Sequence, residues 1–124
     1  MIATDASSLF AYFSGDQGED TEYVASALAG GQLVLPPVVV TEILSGHANV
    51  PAIDDLIQQV GLLDVMEGYW QRAGHARRLL HRHHVKAKVA DTLIAQSCID
   101  HDVALITRDR DFRHFAKHCG LKLA

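Results

Sequence analysis

Five acidic residues occupy positions that the surrounding apolar pattern does not explain. Glu42 and Asp91 interrupt the apolar segments VVVTEIL and VADTLIA, and Asp5 follows the short apolar start MIAT. Asp109 and Asp111 come shortly after the segment VALIT. A carboxylate placed against a hydrophobic core costs free energy unless a positive partner compensates it. A bound metal ion is a common partner of this kind, so the five positions indicate a cation site.

The chemistry of such a site follows from the preference of hard cations for oxygen ligands. Three or four carboxylates around one point repel each other, and Mg²⁺ or Mn²⁺ relieves that repulsion while keeping bound water. An ion of this kind orients a water molecule, lowers its pKa and stabilises charge on a phosphodiester. The acidic set therefore predicts hydrolysis of a phosphate ester, with metal ligands and catalytic residues at Asp5, Glu42, Asp91 and Asp109.

Three further residues stand beside these acids. Ser7 and Thr107 carry hydroxyl groups that could hold a carboxylate or a metal-bound water, and a simple role at a strand end or helix cap is equally open. Asp111 is expected to compete with Asp109, so that one carboxylate faces the site while the other caps the following helix. Asp91, taken alone, could also serve only the start of its helix.

The elements that must position these acids alternate between strands and helices. Strand patterns cover 1–4, 32–35, 62–65, 103–107 and 121–123, and helical spacing covers 9–13, 21–29, 37–45, 51–60, 67–83, 88–99 and 109–118. This alternation predicts a parallel sheet covered by helices on both faces, with right-handed crossovers. Ligands bind such sheets beyond the carboxyl ends of the strands, where the strand order reverses. Asp5 and the segment around Asp109 follow two strand ends, so we expect them to meet there.

Charge is distributed unevenly along the chain, whose formal net charge is −4. Residues 1–71 carry ten acids and no Lys or Arg, whereas residues 72–124 carry 11 bases against five acids. The second half could therefore present a positive surface to a polyanion. A solvated helix face would give the same bias, so both interpretations stay open.

Length and composition bound the class of protein. At 124 residues with 48% hydrophobic content, the chain is expected to form one domain over 1–124 with its own core. The longest uncharged apolar stretch, Leu33–Val40, is much shorter than the roughly 20 residues of a membrane span, and no basic region precedes an apolar one at the N-terminus. We therefore expect a cytoplasmic protein without membrane association. Cys98 and Cys119 are too few for a disulfide framework or a thiolate metal site.

Four segments of the chain together resemble a known family. They are MIATDASSLFAYF, LPPVVVTEILSG, KVADTLIAQSCIDHDVALITRDRDF and GLKL. Their order and spacing resemble the PIN-domain ribonucleases, in particular the VapC toxins of type II toxin–antitoxin pairs. The resemblance implies that the family's four acids are Asp5, Glu42, Asp91 and Asp109, with Ser7, Thr107 and Asp111 in support.

The resemblance also implies a fold and partners. It implies a three-layer α/β/α sandwich with a central parallel sheet, dependence on Mg²⁺ or Mn²⁺, cleavage of RNA and a homodimer. It further implies a cognate antitoxin that places a side chain, often Arg, near the acidic pocket. RNA phosphates bind chiefly Lys and Arg, so contacts are expected from the basic segment 70–88 and from the loop before Asp109. The residues expected to contact RNA are Arg72, Arg77, Arg78, Arg82, Lys86, Lys88 and Arg108.

Three other functions are compatible with parts of this pattern. A non-catalytic module could bind RNA or protein through the basic segment without cutting, although the complete set of acids favours catalysis. A metal phosphohydrolase could use the histidines of segment 81–84 and the pair 101–102, but its ligands would have to converge from several elements. A phosphatase with an aspartyl nucleophile would need a second Asp two residues after Asp5, where Ser7 stands.

Overall fold

Strands and helices alternate along the whole of the described chain. The computed structural model describes residues 1–46 and 51–124. In chain order its elements are β1 (Ile2–Thr4), α1 (Ala6–Phe13), α2 (Glu19–Ala29), β2 (Leu33–Leu35), α3 (Pro37–Leu44), α4 (Pro51–Gln59), β3 (Gly61–Leu62), α5 (Tyr69–Arg82), α6 (Val89–His101), β4 (Ala104–Ile106) and α7 (Phe112–Cys119). None of the helices in these ranges combines the length and the apolar content that a membrane crossing requires.

Local chemistry explains several of these boundaries. Asp5 caps α1, since its side chain accepts a hydrogen bond from the backbone N–H of Ser8. Pro37 opens α3, where its missing N–H leaves no helical hydrogen bond unmade. Asp102 (φ 53°) and Gly120 (φ 80°) end α6 and α7 in the left-handed conformation. The chain therefore turns sharply from α6 into β4.

The strands of the described ranges form one parallel sheet in the order β3-β2-β1-β4. Ile2 of β1 pairs with Leu33 on one side and with Ala104 on the other. β2 and then β3 are added on one side of β1, whereas β4 pairs with β1 on its other side. The strand order therefore reverses between β1 and β4. The predicted parallel sheet is confirmed, and Asp5 and Thr107 follow the two strands that flank the reversal.

Two predicted strands differ from the structure at the edges of the sheet. The predicted strand 62–65 is the shorter β3, which begins one residue earlier, although Leu63 N still donates to Leu35 O at 2.9 Å. The prediction of a last strand over 121–123 is wrong, since Leu123 makes only an isolated parallel bridge to Leu105. An edge segment has a pairing partner on one side only, so apolar residues alone did not define its extent.

The core lies between the sheet and the helices that cover it. Leu35 and Leu105 of the strands are 0% exposed, and Phe112 and Phe115 of α7 are 1% and 2% exposed. α6 packs against α3, α5 and α7, while α1 packs against α2 and α3. The predicted three-layer α/β/α arrangement is confirmed. Because α3 and α6 are neighbours beside the sheet, the acids that they carry can face the same region.

Candidate active site

Asp5 stands at the end of β1 and is held by hydrogen bonds from three donor groups. The Ser7 hydroxyl lies 2.8 Å from both of its carboxylate oxygens, Ser8 N donates to Oδ1 at 3.1 Å, and the Thr107 hydroxyl donates to Oδ2 at 2.5 Å. The side chain is buried, and burial raises its pKa although these hydrogen bonds act in the opposite direction. The negative charge of Asp109 raises the pKa further. Asp5 is therefore fixed in orientation while its own negative charge remains costly.

The loop after β4 extends this network. Asp109 N donates to the Thr107 hydroxyl oxygen at 3.0 Å, and Thr107 in turn donates to Asp5. Asp109 Oδ1 accepts a hydrogen bond from Asp111 N at 2.9 Å. Thr107 and Ser7 both hold a carboxylate, which is one of the two functions that the sequence left open for them.

Three aspartates meet in front of this loop. Asp91, in the first turn of α6, Asp109 and Asp111 each offer a carboxylate oxygen, and these three oxygens lie within 4.8 Å of one another. The expectation that Asp109 and Asp111 divide the tasks of site and helix cap is wrong. α7 begins at Phe112, Asp111 makes no capping hydrogen bond with its side chain, and both carboxylates reach Asp91. Asp109 takes part in both tasks, since its Oδ1 accepts the backbone N–H of Asp111 just before α7 while its carboxylate also belongs to the cluster.

The electrostatic state of Asp91 shows how closely the acids interact. Its pKa is raised to about 6, first by burial and next by the charge of Asp109. Asp111 and Asp5 raise it further, and Lys88 lowers it. Among the described residues, Lys88 is the cation that lowers the pKa of Asp91, and the pKa nevertheless stays above its ordinary value.

Glu42 joins the group from α3. Its side chain is partly buried, and its pKa is raised by burial and then by the charges of Asp91 and Asp5. Of the four acids predicted as metal ligands, Asp91 and Asp109 belong to the aspartate cluster, whereas Asp5 and Glu42 lie outside it and interact with Asp91 through their charges. We call the five acids Asp5, Glu42, Asp91, Asp109 and Asp111 the acidic centre. Three of its members, Asp91, Asp109 and Asp111, are close enough to share one cation.

The donor set of the acidic centre suits Mg²⁺ or Mn²⁺. All of its side chains offer carboxylate oxygen, the ligand that hard divalent ions prefer. The pKa values of Asp5, Glu42 and Asp91 are raised, first by burial and then by the charges of neighbouring carboxylates, so a cation bound there would be stabilised. Of the described residues, only the three clustered aspartates form a group of three or more potential metal ligands. The histidines of the described ranges do not join it: His83 stacks on His118 with ring centroids 4.0 Å apart, and His101 contacts the backbone oxygen of Asp64.

Two polar residues beside the acidic centre were missed in the sequence. Ser8 is completely buried and donates its hydroxyl to Asp20 Oδ2 at 2.9 Å, while its backbone N–H binds Asp5. Asp20 lies in the first turn of α2, one residue before the helix that the sequence predicts over 21–29. No local spacing indicates that Asp20 meets Arg108, because 88 positions separate them.

The predicted RNA-contacting residues fall into two groups. Arg78, Arg82, Lys86 and Lys88 are exposed. Three others direct donors to protein partners: Arg72 to Asp100 at 2.9 and 2.6 Å, Arg77 Nε to Ala87 O at 2.8 Å, and Arg108 to Asp20 at 2.8 and 3.0 Å. Four of these basic residues are thus exposed, and three bind protein partners, of which Arg72 and Arg108 are also exposed.

Comparison with known proteins identifies a family model and several similar structures. The model described as PIN domain matches residues 2–118. The chain is similar in structure to VapBC2 from Rickettsia felis bound to a promoter DNA fragment (TM-score 0.74, 17% identity), covering 100% of this chain and 98% of that one. It is also similar to FitAcB from Neisseria gonorrhoeae (TM-score 0.71, 16% identity; 99% and 96% covered) and to DNA-bound VapBC from Salmonella typhimurium (0.72, 16%; 100% and 98%). No curated protein sequence matches.

Proposed function

We propose that this chain, which belongs to the PIN-domain family, is a metal-dependent endoribonuclease of the VapC toxin type. The observation that carries the proposal is the carboxylate cluster of Asp91, Asp109 and Asp111, whose oxygens lie within 4.8 Å of one another at the end of β4 and the start of α6. Asp5 and Glu42 complete the negative region around it. We infer a single nuclease domain over residues 1–124.

Each residue of the acidic centre has a proposed role. Asp91 and Asp109 hold the cation, as the sequence predicted, and Asp111 is the third ligand. Asp5 and Glu42 act from β1 and α3 as further ligands or as acceptors for metal-bound water. Asp5 needs a fixed orientation for this, and Ser7 and Thr107 supply it by hydrogen bonds.

The proposed reaction is hydrolysis of an RNA phosphodiester bond. A bound Mg²⁺ or Mn²⁺ would supply an activated water and would stabilise negative charge on the phosphate. The chain itself contributes an anionic pocket in which Lys88 acts on Asp91, while Arg108, which is paired with Asp20, acts on Asp5. The negative charge of such a pocket repels an RNA phosphate. The bound cation would therefore also have to neutralise that charge before the substrate can bind.

RNA binding is assigned to the basic residues near the start of α6. Arg78, Arg82, Lys86 and Lys88 are exposed and suit contacts to phosphates. Arg72, Arg77 and Arg108 can add contacts only through the N–H groups that their protein partners do not use. We therefore expect the four exposed residues to dominate RNA affinity.

The proposed partners are a cognate antitoxin and a second copy of the chain, in the cytoplasm. Support for the antitoxin comes from the similar structures, which are the pairs VapBC2, VapBC and FitAcB. The uncompensated acidic centre offers a physical reason for inhibition, because a cationic side chain placed there would satisfy the charge that a metal ion otherwise satisfies. Growth arrest on expression, relieved by co-expression of the antitoxin or by Asp91→Ala, is the expected cellular result.

The biochemical test is cleavage of an unstructured RNA together with Mn²⁺ binding by calorimetry. We expect cleavage with Mg²⁺ or Mn²⁺, loss of cleavage in EDTA, and loss of both cleavage and Mn²⁺ binding in Asp91→Asn. RNA binding without cleavage under all of these conditions would support the non-catalytic module instead. Equal Mn²⁺ affinity of the parent chain and Asp91→Asn would exclude the acidic centre as the metal site.

A further inference from the structure

A second polar network lies beside the acidic centre. Arg108 and Asp20 form a two-point ion pair, with Nε to Oδ2 at 2.8 Å and Nη2 to Oδ1 at 3.0 Å. The Asp20 side chain is 13% exposed and the Arg108 side chain is 37% exposed, so the carboxylate is shielded from water while the guanidinium is partly open to it. Asp16, which is more exposed, lies 3.6 Å from the other Nη of Arg108. A two-point pair fixes the orientation of both side chains as well as their distance.

Asp20 also reaches the start of α1. The Ser8 hydroxyl donates to Asp20 Oδ2 at 2.9 Å, while Ser8 N donates to Asp5 Oδ1 at 3.1 Å. Arg108 N donates to Ser7 Oγ at 3.4 Å, and Ser7 donates to Asp5 at 2.8 Å. The pair of Asp20 and Arg108 therefore links α2, the β4–α7 loop and the first turn of α1 in one network.

The β4–α7 loop has a physical reason to need such an anchor. It carries Asp109 and Asp111, whose oxygens lie within 4.8 Å of an oxygen of Asp91. Like charges at this distance repel, so the loop is pushed away from α6 whenever no cation is bound. Arg108 immediately precedes Asp109, and its attachment to Asp20 restrains the backbone that presents both carboxylates.

We propose that Asp20 is a positioning residue: through its ion pair with Arg108 it holds the β4–α7 loop in the geometry with which the acidic centre binds a divalent cation. The inference rests on the proposed function, because it takes the acidic centre as the cation site. Asp20 acts from outside that site, since its carboxylate is occupied by Arg108 and Ser8. Its negative charge is required, because a neutral amide would lose the two-point pair.

Mn²⁺ binding to the full chain, measured by calorimetry, tests this role. Asp20→Asn keeps the size of the side chain and removes its charge, and we expect Mn²⁺ affinity to fall by about 10-fold, as for residues that orient metal ligands. Asp20→Glu keeps the charge and is expected to recover part of that loss. In RNA cleavage, kcat of Asp20→Asn should fall at low Mn²⁺ and recover at high Mn²⁺, while KM for RNA stays unchanged.

Asp100→Asn is the matched control. Asp100 forms an ion pair of the same two-point geometry with Arg72, at 2.9 and 2.6 Å, near the far end of α6. Its position nine residues after Asp91 places it roughly 13 Å further along the helix. We expect this variant to lose thermal stability and to keep the Mn²⁺ affinity of the parent chain. Identical Mn²⁺ affinities for Asp20→Asn, Asp100→Asn and the parent chain would overturn the positioning role.

Gly18→Ala provides a second test that changes no charge. A Cβ at this position would lie 2.8 Å from Asp20 Oδ1 and 3.5 Å from Arg108 Nη2, so the Asp20 carboxylate must shift. We expect weaker Mn²⁺ binding than in the parent chain, by less than in Asp20→Asn. This variant decides the question if Asp20→Asn does not fold, and unchanged Mn²⁺ affinity would then contradict the proposal.

Asp91→Asn separates failure of the inference from failure of the proposed function. If Asp91→Asn binds Mn²⁺ like the parent chain, the acidic centre is not the cation site. If Asp91→Asn loses Mn²⁺ while Asp20→Asn retains it, only the positioning role is wrong. A lower KM for RNA in Asp20→Asn with unchanged Mn²⁺ affinity would show instead that Asp20 merely keeps Arg108 away from the substrate.

Discussion

Two groups of aspartates in this protein have opposite electrostatic surroundings. Asp20 and Asp100 each face an arginine in a two-point ion pair, and Arg108 lowers the pKa of Asp20 to about 2. The pKa of Asp91 in the acidic centre is instead raised to about 6, because it is partly buried beside other carboxylates. The same residue type thus serves two purposes: the paired aspartates are compensated within the chain, and the acidic centre requires a cation from outside.

The largest effect is expected from removing a charge of the acidic centre. Asp91→Asn should reduce RNA cleavage roughly 10³-fold, since a bound divalent ion contributes several kcal/mol of transition-state stabilisation. The variant should not melt at a lower temperature without metal, because it relieves repulsion with Asp109. Cleavage assays and thermal denaturation in EDTA measure the two effects.

Asp55→Asn is the control for that substitution, because Asp55 is exposed on α4. It should retain full cleavage activity. If Asp91→Asn instead melted well below the parent chain in EDTA, the carboxylate would be a stabilising group, and the contrast with the paired aspartates would disappear.

Removing the hydroxyl that holds Asp5 should have the next largest effect. Thr107→Val keeps the shape of the side chain but removes the donor to Asp5 Oδ2 and the acceptor for Asp109 N. We expect Mn²⁺ affinity or kcat to fall by about 10- to 100-fold, as for other groups that orient metal ligands. Wild-type values for both quantities would mean that Asp5 needs no such support.

The two groups should also differ in their response to pH. Asp91 binds a cation only when ionised, so Mn²⁺ affinity should fall by about 10-fold per pH unit below its pKa of about 6 and level off above it. The free energy of unfolding without metal changes with pH in the opposite sense. Because the folded-state pKa is raised above the ordinary value of 3.8, the folded state binds the extra proton, and this group lowers stability as pH rises from about 4 to about 6.

Mn²⁺ titrations between about pH 5 and about pH 8, and thermal denaturation in EDTA between about pH 4 and about pH 7, check both statements. In Asp91→Asn, both the Mn²⁺ affinity and the melting temperature should lose the part of their pH dependence that is due to Asp91. Above about pH 5 Asp20 should contribute nothing, because its folded-state pKa of about 2 and its ordinary value of 3.8 both lie well below this range. An Mn²⁺ affinity that does not change between pH 5 and 6 would contradict the raised pKa of Asp91.

The smallest predicted effect concerns Lys88, which lowers the pKa of Asp91. Lys88→Ala should move the pH dependence of Mn²⁺ binding to higher pH, because Asp91 loses a favourable positive neighbour. It should also weaken RNA binding and reduce the slope of log K against log salt by about 1. Lys117→Ala, an exposed lysine on α7, is the control and should leave the pH dependence unchanged. A shift of equal size in both variants would point to general charge rather than to the neighbourhood of Asp91.

Much of the fold could be predicted because it depends on local periodicity. Alternating strand and helix patterns predicted the parallel sheet, and the same patterns placed Asp5 and Asp109 after strands that prove to be neighbours. The extents of β3 and of the segment around Leu123 were not predictable in this way, because few backbone hydrogen bonds define an edge of the sheet.

The sequence by itself determined which acids interrupt apolar segments and that the chain alternates strands with helices, since both properties depend on residues a few positions apart. Only the tertiary structure decided that Asp109 and Asp111 both reach Asp91, and that Arg108 pairs with Asp20 from 88 positions away. The physical reason is that these contacts depend on how the β4–α7 loop bends and how α2 packs beside it. Such distances are set by the packing of the whole sheet and its helices, and no local pattern contains them.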